Sequence, residues 1–112
     1  MLKRAYRVSK KEFDIVIETG KAVHSDFFWL RYVKSQEIAT KIAVIAPKKI
    51  AKTAVLRNKI RRKVYEAIRP IYDSVKPGYI VIVSAKDLLV KNPNTNISIE
   101  VKKIFEKAKI LA

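Results

Sequence analysis

Cysteine is absent from this sequence of 112 residues, and histidine occurs once, as His24. Without cysteine the chain has no disulfide, no thiolate metal ligand and no cysteine nucleophile, which fits a reducing cytosol. His24 has no accompanying set of metal ligands, so we expect no metal site in the protein. The carboxylates Asp14 and Glu18 are four residues apart, but no histidine or third acid joins them for general acid–base catalysis. We therefore expect a binding protein with no catalytic residues of its own.

Glycine and long apolar runs are also scarce. Two glycines and four prolines argue against a linker-rich or repetitive chain. No apolar run approaches the roughly 20 residues that cross a bilayer. Residues 1–30 carry charges throughout, so we expect no secretory signal, no membrane partner and a cytoplasmic location. Apolar residues make up 49% of the chain, and this composition predicts one folded domain over residues 1–112.

Positive charge is abundant. The chain has 25 lysines and arginines against 10 acidic residues, a net charge of +15. Such a charge repels itself, and nucleic-acid phosphates are the commonest partner that compensates for it. The segment from Lys48 to Arg69 contains nine basic residues and a single acid, Glu66. A solvated helix face normally mixes both signs, so this segment predicts binding to a polyanion.

The first helix has the clearest boundary signals. Ser9 and Glu12 have the spacing of a capping box, and Val8 and Phe13 that of a hydrophobic staple. Gly20 is predicted to end this helix in the left-handed conformation.

Three strands are predicted, over residues 26–35, 40–47 and 79–84. In the first, alternation places Phe28, Leu30 and Tyr32 on one face. The opposite face carries Phe27, Trp29, Arg31 and Val33. Because both faces are largely apolar, one is expected to cover the core and the other to line a cleft. Trp29 could stack on an unpaired nucleotide or simply pack in the core, and the sequence leaves both alternatives open.

A basic helix is predicted after Thr53, its N-cap, and Pro70 should end or kink it. One stripe of this helix is apolar, at Leu56, Ile60, Val64, Ala67, Ile68 and Ile71. Polar and basic residues lie opposite, at Asn58, Arg61, Arg62, Tyr65 and Arg69. A final amphipathic helix begins near Ile97 and buries Val101, Ile104, Phe105 and Ala108. The order helix, strand, strand, helix, strand, helix predicts an α/β two-layer sandwich.

The segment "RNKIRR", residues 57–62, resembles the RNR motif of the bacterial ribonuclease P protein component. In that family the motif is usually Arg-Asn-Arg followed by an apolar residue and two basic residues. The similarity extends through "PKKIAKTAVLRN" upstream and to the opening "LKRAYRVSKKEFDIVIETGK". The sequence departs from the family pattern at Lys59, which replaces an arginine, and at Pro47, which replaces a serine. Ile17 and Arg31 replace aromatic residues.

The resemblance implies a small central sheet of about four strands, three helices and a left-handed βαβ crossover through the basic helix. It further implies a protein that assists a catalytic RNA, which uses Mg²⁺ bound mainly by that RNA to remove the 5′ leader of precursor tRNA. The surface facing ribonuclease P RNA would comprise Lys48, Lys49, Lys52, Arg57, Asn58, Lys59, Arg61 and Arg62. A separate cleft for the single-stranded leader would comprise Phe13, Ile17, Trp29 and Arg31. No small-molecule substrate is implied.

Two other functions fit the charge. A structural RNA-binding protein of the ribosomal type needs the same basic surface but no leader cleft. A basic DNA-binding domain is disfavoured, because no helix-turn-helix spacing is visible. Exposure of Phe13 and Trp29 distinguishes the first two functions, since a leader cleft must be open and a core must be closed.

Overall fold

The computed structural model describes residues 7–112. Residues 1–6, which include the basic residues Lys3 and Arg4, therefore lie outside the described residues. The helices are α1 (Lys10–Thr19), α2 (Ala54–Ile68), α3 (Asp87–Lys91) and α4 (Ile97–Lys107), with a 3₁₀ helix over Arg69–Ser74. The strands are β1 (Lys21–His24), β2 (Phe28–Lys34), β3 (Lys41–Ile45) and β4 (Tyr79–Ala85). The predicted α/β fold with a four-stranded sheet is confirmed, and α1, α2 and α4 are the three predicted helices.

The four strands form one sheet in the order β1-β2-β4-β3. β2 is antiparallel to both β1 and β4, whereas β3 and β4 are parallel. Parallel neighbours require a crossover connection, and α2 lies within it. This is the predicted βαβ unit, and its left-handedness stays a prediction.

The two faces of the sheet carry separate apolar clusters. On one face, Leu30 and Val83 join buried side chains of α2 and α4, including Val64 and Phe105. On the other face, Val16 of α1 packs with Ile80 and Ile82 of β4. Neighbouring residues of β4 point to opposite faces because the side chains of a strand alternate. Helices therefore cover both faces of the sheet, with α1 alone on the second.

The predicted faces of the first long strand are correct from Phe28 to Val33, but the assignment of Phe27 is wrong. Phe27 packs against the α2–α4 cluster, on the same side as Phe28. It lies before β2 begins, so the alternation of a strand does not apply to it.

The start of α1 follows the predicted capping box. The Ser9 hydroxyl accepts from the Glu12 N–H at 3.2 Å, and the Glu12 carboxylate accepts from the Ser9 N–H at 2.9 Å. Val8 and Phe13 both pack against the α1 cluster, where the predicted staple would place them.

The predicted left-handed conformation of Gly20 is wrong, because its φ is −72° and its ψ is 149°. A Cβ atom at Gly20 would lie 2.4 Å from the carbonyl oxygen of Val16 and 3.2 Å from that of Tyr32. Glycine is required there because two backbone segments approach closely. The chain then enters β1 directly.

Thr53 is the N-cap of α2, as predicted, and its hydroxyl accepts from the Leu56 N–H at 3.1 Å. The middle of the predicted apolar stripe, from Ile60 to Ile68, is buried. Pro70 lies in the 3₁₀ helix that follows α2, where a missing N–H is tolerated. Within residues 7–112, no helix has both the length and the apolar character needed to cross a membrane.

Candidate nucleic-acid interface

The residues predicted to face RNA form a basic surface on α2 and the loop before it. We define this basic surface as Lys48, Lys49, Lys52, Arg57, Asn58, Lys59, Arg61 and Arg62. All of these residues are exposed except Arg57 and Arg61, which are half-buried. None of the five ion pairs found among residues 7–112 involves a basic residue of this surface. The charge is therefore uncompensated by neighbouring carboxylates.

Arg57 holds the lysine-bearing loop against α2. The Pro47 carbonyl accepts from the N–H groups of Ile50 and Ala51, at 3.1 and 3.0 Å, and so closes a tight turn. Nη1 of Arg57 donates to the Ala51 carbonyl at 3.0 Å. Lys48 and Lys49 lie within this turn, and both side chains are exposed. Part of the Arg57 guanidinium is thus used to order the loop.

A shallow groove runs along the exposed side of α2. It is lined by Asn58, Arg61, Arg62, Tyr65, Glu66 and Arg69. Arg61 donates to the Asn58 side-chain oxygen, which holds the two side chains together. The Tyr65 hydroxyl accepts from the Val44 N–H at 3.2 Å and fastens this side of the helix to β3. Arg62 and Arg69 keep their guanidinium donors available for phosphate oxygens.

Lys59 lies on a different flank of α2 from the rest of the motif. It lines a second groove together with Lys63, between α2 and the segment that contains α3. Residues four apart on a helix share a face, so this pairing follows from their spacing. Lys63 was not among the predicted site residues, although its distance of four from Lys59 was a usable signal.

The four residues predicted to form the leader cleft come together on the face of the sheet that α1 covers. Phe13, Ile17 and Trp29 pack around the buried trio of Val16, Ile80 and Ile82. Phe13, Ile17, Trp29 and Arg31 are all half-buried. Each of the four side chains is therefore partly accessible to solvent, and their role as a leader-binding cleft stays a prediction.

Arg31 links β2 to the last turn of α1. Its Nη1 donates to the Ile17 carbonyl at 2.7 Å, and its guanidinium carbon lies 6.0 Å from the centre of the Trp29 ring. This distance is within the range of a cation–π contact. The side chain thus combines a structural hydrogen bond with a planar cation beside the aromatic ring.

The rim of the cleft also includes residues that the sequence did not single out. Ala43 and Ile45 of β3 are half-buried and pack against the same cluster. Ile45 is paired with Ser84, and Ser84 is paired with Trp29, so the three form one row across the sheet. The alternation of β3 in the sequence places Ala43 and Ile45 on one face of that strand. The sequence alone does not show that this face lies beside Trp29, because that depends on the order of the strands.

An ion pair closes the other end of α1. The Lys41 ammonium lies 3.0 Å from the Glu12 carboxylate and 2.9 Å from that of Glu37. Burial by itself would raise the pKa of Glu12, but hydrogen bonds from the Ser9 N–H and Lys41 outweigh it and lower the pKa. The Glu37 and Glu12 carboxylates raise the pKa of Lys41. This pair fixes α1 to β3.

Comparison with known proteins assigns the family. The family model described as ribonuclease P matches residues 2–109. The chain belongs to the ribonuclease P protein family. It is 30% identical to the ribonuclease P protein component of Symbiobacterium thermophilum over 98% of this chain and 96% of that protein. It is 35% identical to the component from Nitratiruptor sp. over 90% of this chain and 89% of that protein.

Solved structures of ribonuclease P proteins share this fold. The Staphylococcus aureus RNase P protein superposes with a TM-score of 0.87 at 22% identity, covering 97% of this chain and 100% of that one. The Thermotoga maritima protein superposes with a TM-score of 0.77 at 18% identity, covering 91% and 93%. At these identities the superpositions establish the fold.

In this ribonuclease P family protein the basic surface and the residues of the predicted leader cleft lie on opposite faces of the sheet. α2 covers one face, and Phe13, Ile17 and Trp29 pack on the other. Lys48 follows Ile45 by three residues, so their Cα atoms are within about 10 Å of each other. The lysine-bearing loop therefore starts close to the end of β3 that carries Ile45.

Proposed function

We propose that this chain is the protein subunit of a ribonuclease P ribonucleoprotein and acts as a single RNA-binding domain. Its basic surface binds the catalytic RNA, and its cleft binds the 5′ leader of precursor tRNA. The assembled particle then removes the leader by endonucleolytic hydrolysis in the cytoplasm. The observation that carries this proposal is the uncompensated charge of the basic surface in a chain of the ribonuclease P family.

The basic surface suits a folded RNA. Arginine presents a planar fork of donors that bonds two phosphate oxygens at once. Arg57 and Arg61 are already held by Ala51 and Asn58, so less side-chain entropy is lost on binding. Each phosphate that a basic residue neutralises also releases condensed counterions. Binding is therefore expected to depend steeply on salt.

The partial exposure of two aromatic rings favours the leader-binding function over the ribosomal type. Phe13 and Trp29 are half-buried, so part of each ring is available to a ligand. Stacking on exposed aromatic rings tolerates any base, which suits a leader of variable sequence. Arg31 beside Trp29 adds a planar cation for a base or a phosphate.

Hydrolysis is assigned to the RNA partner. Residues 7–112 contain no group of three or more His, Cys, Asp or Glu side chains arranged to hold a metal ion. We propose that the RNA binds the Mg²⁺ used in cleavage. The protein's contribution is to neutralise phosphates and to position the leader.

Reconstitution at limiting Mg²⁺ tests this function. Adding the purified protein to a bacterial ribonuclease P RNA should produce 5′ cleavage of precursor tRNA that the RNA alone performs slowly at that Mg²⁺ concentration. The double variant Arg61→Gln/Arg62→Gln should lose most of the stimulation. The control Lys102→Gln/Lys103→Gln removes the same charge from exposed positions of α4 and should retain it. Absence of stimulation by the unmodified protein would refute the proposed function.

A further inference from the structure

The groove on the Lys59 flank of α2 has a composition different from the rest of the basic surface. We call it the α2–α3 groove. Its floor contains the buried side chains of Ile60 and Leu89. Its walls are half-buried apolar side chains of Leu56, Val90 and Ile97, together with Pro93. An apolar pocket is thus open on the side of a helix whose outer surface is otherwise strongly charged.

Two lysines stand at the lip of the groove. Lys59 and Lys63 are exposed, and neither takes part in an ion pair among residues 7–112. No acidic residue lines the groove. Glu66 lines a neighbouring surface depression, which also includes Lys63. An apolar floor beneath two free ammonium groups complements a ligand with one flat apolar part and one anionic part.

The far wall of the groove supplies hydrogen-bond acceptors. Nδ2 of Asn92 donates to the Leu88 carbonyl at 2.9 Å, and Oγ1 of Thr95 donates to the Asn92 carbonyl at 2.7 Å. These bonds use donor hydrogens and leave the Asn92 Oδ1 and Thr95 Oγ1 oxygens able to accept. Acceptors of this kind match the exocyclic amine of a nucleobase.

We propose that the α2–α3 groove binds the base of one unpaired nucleotide, adenine or another base with an exocyclic amine, in the RNA that docks on the basic surface. Lys59 and Lys63 contact the phosphates that flank this base. The volume enclosed by the groove is about 100 Å³, well below the roughly 300–1,000 Å³ of ordinary ligand pockets. One planar ring fits this space, whereas an amphipathic peptide helix needs a longer groove for its successive anchors. The inference rests on the proposed function, because it assigns a contact within the same RNA complex.

Methyl NMR of the unmodified full chain separates this groove from the leader cleft. The methyl groups of Leu56, Val90 and Ile97 report on the groove, and those of Ile17 and Ile45 report on the cleft. A short oligoadenylate should shift the groove methyls, and an RNA duplex of equal length should leave them in place. Because the duplex has no free base, the comparison separates base insertion from general phosphate binding.

A matched pair of variants tests the contact independently. Thr95→Leu adds volume to the groove and removes an acceptor. Thr19→Leu, on the exposed end of α1, removes a hydroxyl that also donates to a backbone carbonyl, at 2.8 Å. Thr95→Leu should raise the Kd for oligoadenylate roughly three- to tenfold, the effect of one lost hydrogen bond. Thr19→Leu should change it less than about twofold.

The outcomes distinguish this inference from the proposed function. Shifts confined to the cleft methyls would overturn the groove contact and leave the proposed function standing. If neither oligoadenylate nor the duplex shifts any methyl signal, both the groove contact and the proposed function would be refuted. Groove shifts that follow protein concentration without RNA would show that a second copy of the chain occupies the groove and would overturn the inference. If Thr95→Leu does not fold, the methyl titration of the unmodified chain decides alone.

Discussion

Replacing Arg62 by glutamine should lower both the affinity for ribonuclease P RNA and its dependence on salt. Arg62 is exposed on α2 and makes no ion pair among residues 7–112, so its full charge is available to phosphate. A lost charge-assisted hydrogen bond costs about 1.5–3 kcal/mol, which raises Kd by roughly tenfold or more. Losing one phosphate contact also reduces the slope of log K against log salt by about 0.7–0.9.

The salt dependence is the sharper readout. Between 50 and 200 mM salt, the RNA affinity of the unmodified protein should fall by a factor about threefold larger than that of Arg62→Gln. Lys102→Gln is the control, because it also lowers the net charge by one and replaces an exposed residue of α4. Filter binding or fluorescence anisotropy across a salt series provides both slopes. Equal slopes for the two variants would refute the assignment of α2 as the RNA-binding helix.

Three further perturbations test the cleft and the attachment of α1. Trp29→Ala should lower the affinity for leader-bearing precursor tRNA roughly tenfold more than the affinity for mature tRNA, because one base-stacking contact is worth about 1–3 kcal/mol. An equal loss of affinity for both RNAs would contradict leader binding. Because Glu12 has a lowered pKa, its stabilising contribution is present above the unfolded value of 4.5 and is lost as pH falls through the lower folded pKa. The melting temperature of Glu12→Gln should therefore change less than that of the unmodified protein between about pH 5 and pH 3, and parallel curves would contradict this. Gly20→Ala should destabilise the fold by about 1–3 kcal/mol in denaturant titrations, because its Cβ would meet the Val16 carbonyl oxygen; an unchanged stability would show that the α1–β1 junction can relax.

The sequence predicted the helices whose ends carry local chemistry. Ser9, Glu12 and Thr53 are N-terminal capping residues whose partners are three residues away, so the sequence alone contains both halves of each contact. The apolar stripe of α2 was readable for the same reason, since a helix brings residues three and four apart onto one face.

Short elements were missed because their stability comes from distant partners. β1 has four residues, is exposed at three of them, and pairs only with β2. α3 has five residues and no side-chain cap at its start. Neither segment is long enough for the periodicity of its residues to predict a strand or a helix. Each is stabilised by packing against elements elsewhere in the chain.

The candidate surfaces were predicted in part. The exposure of Lys48 and Arg62 follows from spacing on the loop and the helix, whereas the part played by Ile45 in the cleft follows from the order of the strands. The bond from Arg31 to Ile17 joins residues 14 apart in sequence. Only the folded arrangement of α1 over β2 brings those two groups together.

Site-directed cleavage of the RNA tests the docking surface most directly. The chain has no cysteine, so a single introduced thiol can carry an iron chelate that generates hydroxyl radicals. Glu66→Cys places the chelate on α2, and Glu18→Cys places it on α1, on the opposite face of the sheet; both positions are exposed. In complex with ribonuclease P RNA, the α2 chelate should cut the RNA at a few discrete positions and the α1 chelate should cut it little. Equal cutting from both positions, or stronger cutting from α1, would contradict the account.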